Sequence, residues 1–150
     1  MNMREVVVMG VGLHKFGRFP DATFEEMTGV AISKALADSG VPFTDIEAAY
    51  MGSTQCALYD PRRIVQQFGW TGIPIVVMAQ ACASSSAAFR EGYLHVASGV
   101  YDTVLLVGFE KMERGFIPGT LASMAGKHHL DVMGLDVIPA RVAIEMRKRM

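Results

Sequence analysis

The stretch that decides the fold runs from Gln80 to Gly99, QACASSSAAFREGYLHVASG, and continues from Val100 as VYDTVLLVGFEKM to Met112. Ala83 to Ser98 predicts a helix whose first turns carry almost no side-chain bulk. Asp102 to Phe109 is an apolar run bounded by polar residues and predicts a strand buried on both faces. Upstream, Pro74 to Gln80 (PIVVMAQ) predicts another strand. The order is therefore strand, helix, strand, the unit from which parallel sheets are built.

The same alternation extends towards the N-terminus. Arg4 to Val11 (REVVVMGV) is a β-branched run ended by Gly12. Thr23 to Ser39 has helical spacing, with Phe24, Met27, Ala31 and Ala35 in one stripe that Val30 and Leu36 widen. Asp21 or Thr23 is its N-cap, Glu25 and Glu26 suit the positive end of its dipole, and Gly40 followed by Pro42 ends it. Ala48 to Thr54 is a second strand, and Asp60 to Phe68 a short helix with Pro61 in its first turn. Glu110 to Ile138 holds four spread glycines and reads mostly as loop. Pro139 to Met150 reads as a last helix with a start signal but no stop signal. Two expectations follow: a finished helix with a basic last turn, or a domain that continues past Met150. The fold class expected for residues 1–150 is α/β, a mixed, mostly parallel sheet covered by helices on both faces.

Composition narrows the function classes. The chain has 150 residues, 51% of them apolar and 19% charged, with a net charge of -1. That excludes disorder and gives no electrostatic case for nucleic acid or an anionic membrane as main partner. The longest apolar runs are far short of the roughly 20 residues a spanning helix needs. No basic stretch followed by an apolar one marks a secretory signal, so a cytoplasmic location is expected. Cys56 and Cys82 make neither a disulfide framework nor a zinc site.

Among candidate motifs, Gly10-Val11-Gly12 lacks the third glycine of a dinucleotide loop, since position 15 is Lys15. A tight strand-to-loop turn accounts for it. His14, His95, His128 and His129 show no metal-ligand spacing, so no metal site is expected. His95 falls within a helix as a packed or surface residue, and His128 and His129 fall in the long loop. Cys56 reads as a buried structural cysteine. Cys82 is different, because it sits between a strand and the start of a helix. There, unpaired N–H groups and the dipole favour a thiolate nucleophile and can receive an oxyanion. The plain alternative is a buried cysteine in a small-residue helix.

These residues carry a family resemblance. Val6 to Gly52, the Cys82 segment, and GFEKMERG from Gly108 to Gly115 together resemble the N-terminal half of the thiolase superfamily, in its sterol-carrier and lipid-transfer-protein branch. The Cys82 segment and GFEKM are the specific parts of that resemblance. It implies that Cys82 is the catalytic nucleophile, acylated by an acyl-CoA, with coenzyme A as substrate rather than tightly bound cofactor. It also implies a homodimer or larger oligomer, and in some relatives a zinc-ribbon/OB-fold partner protein. Two positions depart from the family pattern: Ala79 stands where an Asn is frequent, and Ser85 where a Gly is frequent. The run CASSS is also similar to ketosynthase-type condensing enzymes, and a non-catalytic lipid-transfer or scaffold role is a third possibility. The resemblance places the catalytic His and a second acid/base residue in a C-terminal half for which no stretch of these residues is a match.

Overall fold

A computed structural model describes residues 3–17, 19–54 and 61–111, and residues 141–148 as backbone. Eight elements follow one another: β1 (Val6–Gly12), α1 (Phe24–Ser39), β2 (Ala48–Gly52), α2 (Pro61–Gln66), β3 (Ile75–Met78), α3 (Ser84–Ser98), β4 (Thr103–Gly108) and β5 (Arg141–Lys148). The strands form one sheet in the order β1-β5-β4-β2-β3. β2 pairs in parallel with β3 through Ala49 and Ile75, and with β4 through Ala48 and Val104. β5 runs antiparallel to both of its neighbours, with Arg147 opposite Thr103 of β4 and opposite Val7 of β1. The sheet is thus mixed and mostly parallel, as expected.

The period of two along each strand divides the core. Ala49, Met51, Leu105 and Val107 face one way and join Ala31, Ile32 and Ala35 of α1 and Ile64 and Val65 of α2. Ala48, Tyr50, Val104 and Leu106 face the other way and join Ala88 and Val96 of α3. β2 and β4 are buried along their whole length, whereas β3 is an edge strand with Val76 37% exposed.

α1 starts where its capping chemistry dictates. The Thr23 hydroxyl accepts from the Glu26 N–H at 3.1 Å, and the Glu26 carboxylate accepts from the Thr23 N–H at 2.7 Å. Gly40, at φ 69°, closes the helix. The glycines of β1 have a packing role rather than a turn role. A Cβ on Gly10 would lie 2.5 Å from the Ala35 carbonyl oxygen, and one on Gly12 would strike the Ala31 carbonyl. Their absence of side chains lets α1 lie directly on the edge of the sheet.

Two expectations are corrected. Val30 is 42% exposed, and Ile32 is buried instead. At about 100° per residue Ile32 lies beside Thr28 and Ala35, whereas Val30 falls on the outer side. The expected C-terminal helix is the strand β5. Its sequence, RVAIEMRK, alternates apolar Val142, Ile144 and Met146 with other residues, a strand period. β1 and β4 each need a partner for a row of backbone N–H and C=O groups, and a segment between them supplies both. That tertiary demand outweighs the helix propensity of Ala, Glu, Met, Arg and Lys. The expected loop from Glu110 to Ile138 lies outside the described residues after Lys111. Among the described residues no helix is long and apolar enough to cross a membrane.

Candidate active site

In open α/β sheets the carboxyl ends of the parallel strands are where ligands meet the fold. At that edge, β3 passes into α3 through a tight 3-10 turn, Ala81–Ala83. Ala81 adopts φ 48°, a left-handed conformation that costs a residue with a Cβ about 1–2 kcal/mol. Cys82 follows it, a free and exposed thiol, two residues before the first residue of α3. Sequence reasoning placed Cys82 between strand and helix, and that is its position.

The turn is held by Ser84, which is 3% exposed. Its hydroxyl accepts from the Gln80 N–H at 2.8 Å and donates to the Ala81 carbonyl at 2.7 Å. The Ser84 N–H donates to the same Ala81 carbonyl. Each hydrogen bond contributes about 0.5–1.5 kcal/mol net, so the pair made by the hydroxyl is of the size needed to offset the strain at Ala81. Behind the turn lies Gly52 at the end of β2. A Cβ there would come within 2.5 Å of the Ser84 carbonyl group and of the Ser85 Cα, so only glycine lets α3 sit this close to the sheet.

A second group of contacts ties neighbouring segments to the same edge. Glu110, 7% exposed, follows β4. Its carboxylate accepts from the Thr54 N–H at 2.7 Å, from the Thr54 hydroxyl, and from the Ser53 hydroxyl at 3.4 Å. The Ser53 N–H donates to the Met78 carbonyl, and the Phe109 N–H to the Gly52 carbonyl. Lys111 donates through its Nζ to the carbonyls of Pro20 at 2.8 Å and Ala22 at 2.7 Å. The exits of β2, β3 and β4 and the entry to α1 are thereby fastened together. Sequence reasoning missed Glu110 and the hydroxyl of Ser84. The available signal for Glu110 was an acid placed directly after an apolar strand.

The other candidates fall elsewhere. His95 lies in α3, half-buried, its Nδ1 donating to the Glu91 carbonyl at 2.9 Å and its ring stacked on Tyr50 with centroids 5.5 Å apart. This matches a packed histidine. Tyr50 is 1% exposed, and burial, reinforced by the charges of Tyr101 and Glu91, pushes its hydroxyl from 10.0 up to about 12. His14 contacts the Lys15 carbonyl at 2.9 Å and the edge of Phe19. Cys56, His128 and His129 lie outside the described residues. Among the described residues no cluster of three His, Cys, Asp or Glu side chains has metal-binding geometry.

Comparison with known proteins agrees with this architecture. A family model described as thiolase, N-terminal domain, matches residues 6–145. Acetyl-CoA acetyltransferase of Methanothermobacter thermautotrophicus is 33% identical over 153 residues, covering 99% of this chain and 40% of that protein. Sterol carrier protein 2 of Gallus gallus is 33% identical over 138 residues, covering 87% of this chain and 25% of that protein. The chain therefore spans less than half the length of these relatives. Among solved structures, the priming β-ketosynthase of a polyketide biosynthetic pathway superposes with a TM-score of 0.76 at 19% identity. It covers 99% of this chain and 51% of its own, a likeness of fold.

Proposed function

Since the chain belongs to the thiolase family, we propose that it is the N-terminal, nucleophile-bearing part of an acyl-CoA acyltransferase acting through Cys82. The observation that carries this is the place of Cys82: an exposed thiol on a strained turn that opens directly into α3, at the carboxyl edge of the parallel strands. The first-turn amides and the dipole of α3 favour negative charge beside that turn.

In the thiolytic direction the Cys82 sulfur attacks the 3-keto carbon of a 3-oxoacyl-CoA. A bond from sulfur to that carbon forms, and the bond between C2 and C3 breaks. Its electron pair passes to C2, which takes a proton and leaves as acetyl-CoA. The thiolate of a second coenzyme A then attacks the acyl carbon; its sulfur–carbon bond forms, the bond to the Cys82 sulfur breaks with the electron pair returning to that sulfur, and a shortened acyl-CoA leaves. The general acid for C2 is assigned to the remaining part of the protein, because the chain spans 40% of its acetyl-CoA acetyltransferase relative. Exposed apolar side chains, including Phe89 and Tyr93 of α3 at 40% and Val11 of β1 at 52%, support a further surface packing on this domain. That surface is the rest of the protein, a second copy in a homodimer or larger oligomer, or a zinc-ribbon/OB-fold partner.

The test is acyl loading of the full-length protein. Incubation with acetyl-CoA, followed by peptide mass spectrometry, should place the acyl group on Cys82, and Cys82→Ser should abolish both loading and thiolysis. Full thiolysis by Cys82→Ser would end this assignment. Loading from an acyl carrier protein in preference to the CoA ester would turn it towards a condensing enzyme.

A further inference from the structure

We infer that Ser84 is a positioning residue for the Cys82 thiol: its buried hydroxyl ties Gln80 to Ala81, holds Ala81 in the left-handed region, and so fixes the direction in which residue 82 presents its sulfur. This rests on the acyl-transfer role proposed for Cys82.

Three features of the turn carry the inference. Serine at a helix start ordinarily serves as N-cap, its oxygen accepting from an N–H one turn ahead. α3 has no such cap: Ala83 occupies that position and makes no side-chain bond. Ser84, one residue later, directs its hydroxyl backwards, to Gln80 and Ala81. A hydroxyl at the mouth of the helix is thus committed to the conformation of the preceding residues instead of to the helix. The residue it holds is strained, with φ 48° at an alanine, so the turn relaxes when the hold is removed. Finally, the relaxation has one open direction. Gly52 closes the space behind Ser84 and Ser85, while Ala81, Cys82 and Ala83 are all exposed, so the turn moves outwards and carries Cys82 with it.

The chemistry tells positioning apart from folding. Acylation requires the sulfur to approach a thioester carbonyl along a defined line: the sulfur–carbon bond forms, the bond to the CoA sulfur breaks, and its electron pair leaves on CoA. Alkylation by iodoacetamide asks only for an accessible thiolate. In the full-length protein, Ser84→Ala should lower acyl loading of Cys82 from acetyl-CoA by about tenfold or more, with iodoacetamide alkylation changed less than about threefold. Ala81→Gly, which adopts positive φ without strain, should make the hydroxyl dispensable. The double variant Ala81→Gly with Ser84→Ala should therefore load within about twofold of Ala81→Gly alone. That comparison stands even if Ser84→Ala by itself fails to fold. Equal loading by the wild type and Ser84→Ala would overturn the inference. So would a double variant tenfold below Ala81→Gly. Absence of any acyl group on wild-type Cys82 would instead remove the acyl-transfer role, and this inference with it.

Discussion

Gly52→Ala probes the contact on which the site is built. The added Cβ would sit 2.5 Å from the Ser84 carbonyl carbon, the Ser84 oxygen and the Ser85 Cα. Carbon atoms rest at about 3.5–4.0 Å, so the first turn of α3 has to withdraw by about 1 Å. The obstacles are all backbone atoms, and no side chain can rotate aside. Overpacking of this kind costs about 1–3 kcal/mol. At about 2 kcal/mol, a domain of this size loses roughly 4–8 °C in Tm. The effect on acyl transfer should be larger, because a displacement of about 1 Å at a reacting group costs on the order of a hundredfold. Gly92→Ala is the control, since its Cβ meets the terminal Cδ2 of Leu106, which can turn. Exchanging a helix-interior glycine for alanine also gains about 1 kcal/mol in propensity. Calorimetry and acyl loading on the full-length protein should therefore separate the two variants. A Gly52→Ala protein with unchanged Tm and unchanged loading, or a Gly92→Ala protein equally damaged, would refute the close-approach argument.

Two further outcomes are expected. The Tyr50 hydroxyl, raised to about 12 in the fold against 10.0 when free, keeps its proton in the folded state over a range where the unfolded chain has lost it. Its contribution to stability is thus complete below pH 10.0 and falls as pH rises from there towards about 12. Denaturant titrations in that window should show the loss, and Tyr50→Phe should lessen it; an unchanged slope would contradict burial as the cause. Removing the Glu110 side chain leaves the buried Ser53–Thr54 corner without its acceptor, so Glu110→Ala should cost about 1–3 kcal/mol, and Glu110→Gln, which keeps one oxygen, less. A urea midpoint for Glu110→Ala equal to that of the wild type would show that the carboxylate does not hold that corner.

How much of this was legible in sequence depends on how local the deciding interaction is. The bounds of α1 follow from Thr23, Glu26 and Gly40, all within one turn of the ends they fix. The place of Cys82 follows from the change of period between PIVVMAQ and SSSAAF. β5 was misread because its state is set by β1 and β4, far away in sequence, and not by the propensities of its own residues. The Gly10-Val11-Gly12 pattern gave no hint that its glycines serve α1, whose Ala31 and Ala35 lie well beyond it in sequence. Ser84 looked merely small, since nothing in a linear string shows that a hydroxyl points backwards. Glu110 was passed over for the same reason: its partners, Ser53 and Thr54, are more than fifty positions distant.

The antiparallel strand wedged into the sheet has a temporal consequence. Among the described residues β1 has no ladder to β4, and Arg141–Lys148 lies between the two and pairs with both. On the ribosome, β1 emerges well before β5, and the edge it turns towards β5 waits for its partner until more than a hundred further residues have been synthesised. Pairings of such long range close slowly and leave an edge open to wrong partners meanwhile. A nascent chain stalled before residue 141 would expose that edge to chaperones, and release of the stall would let β1 be captured by β5.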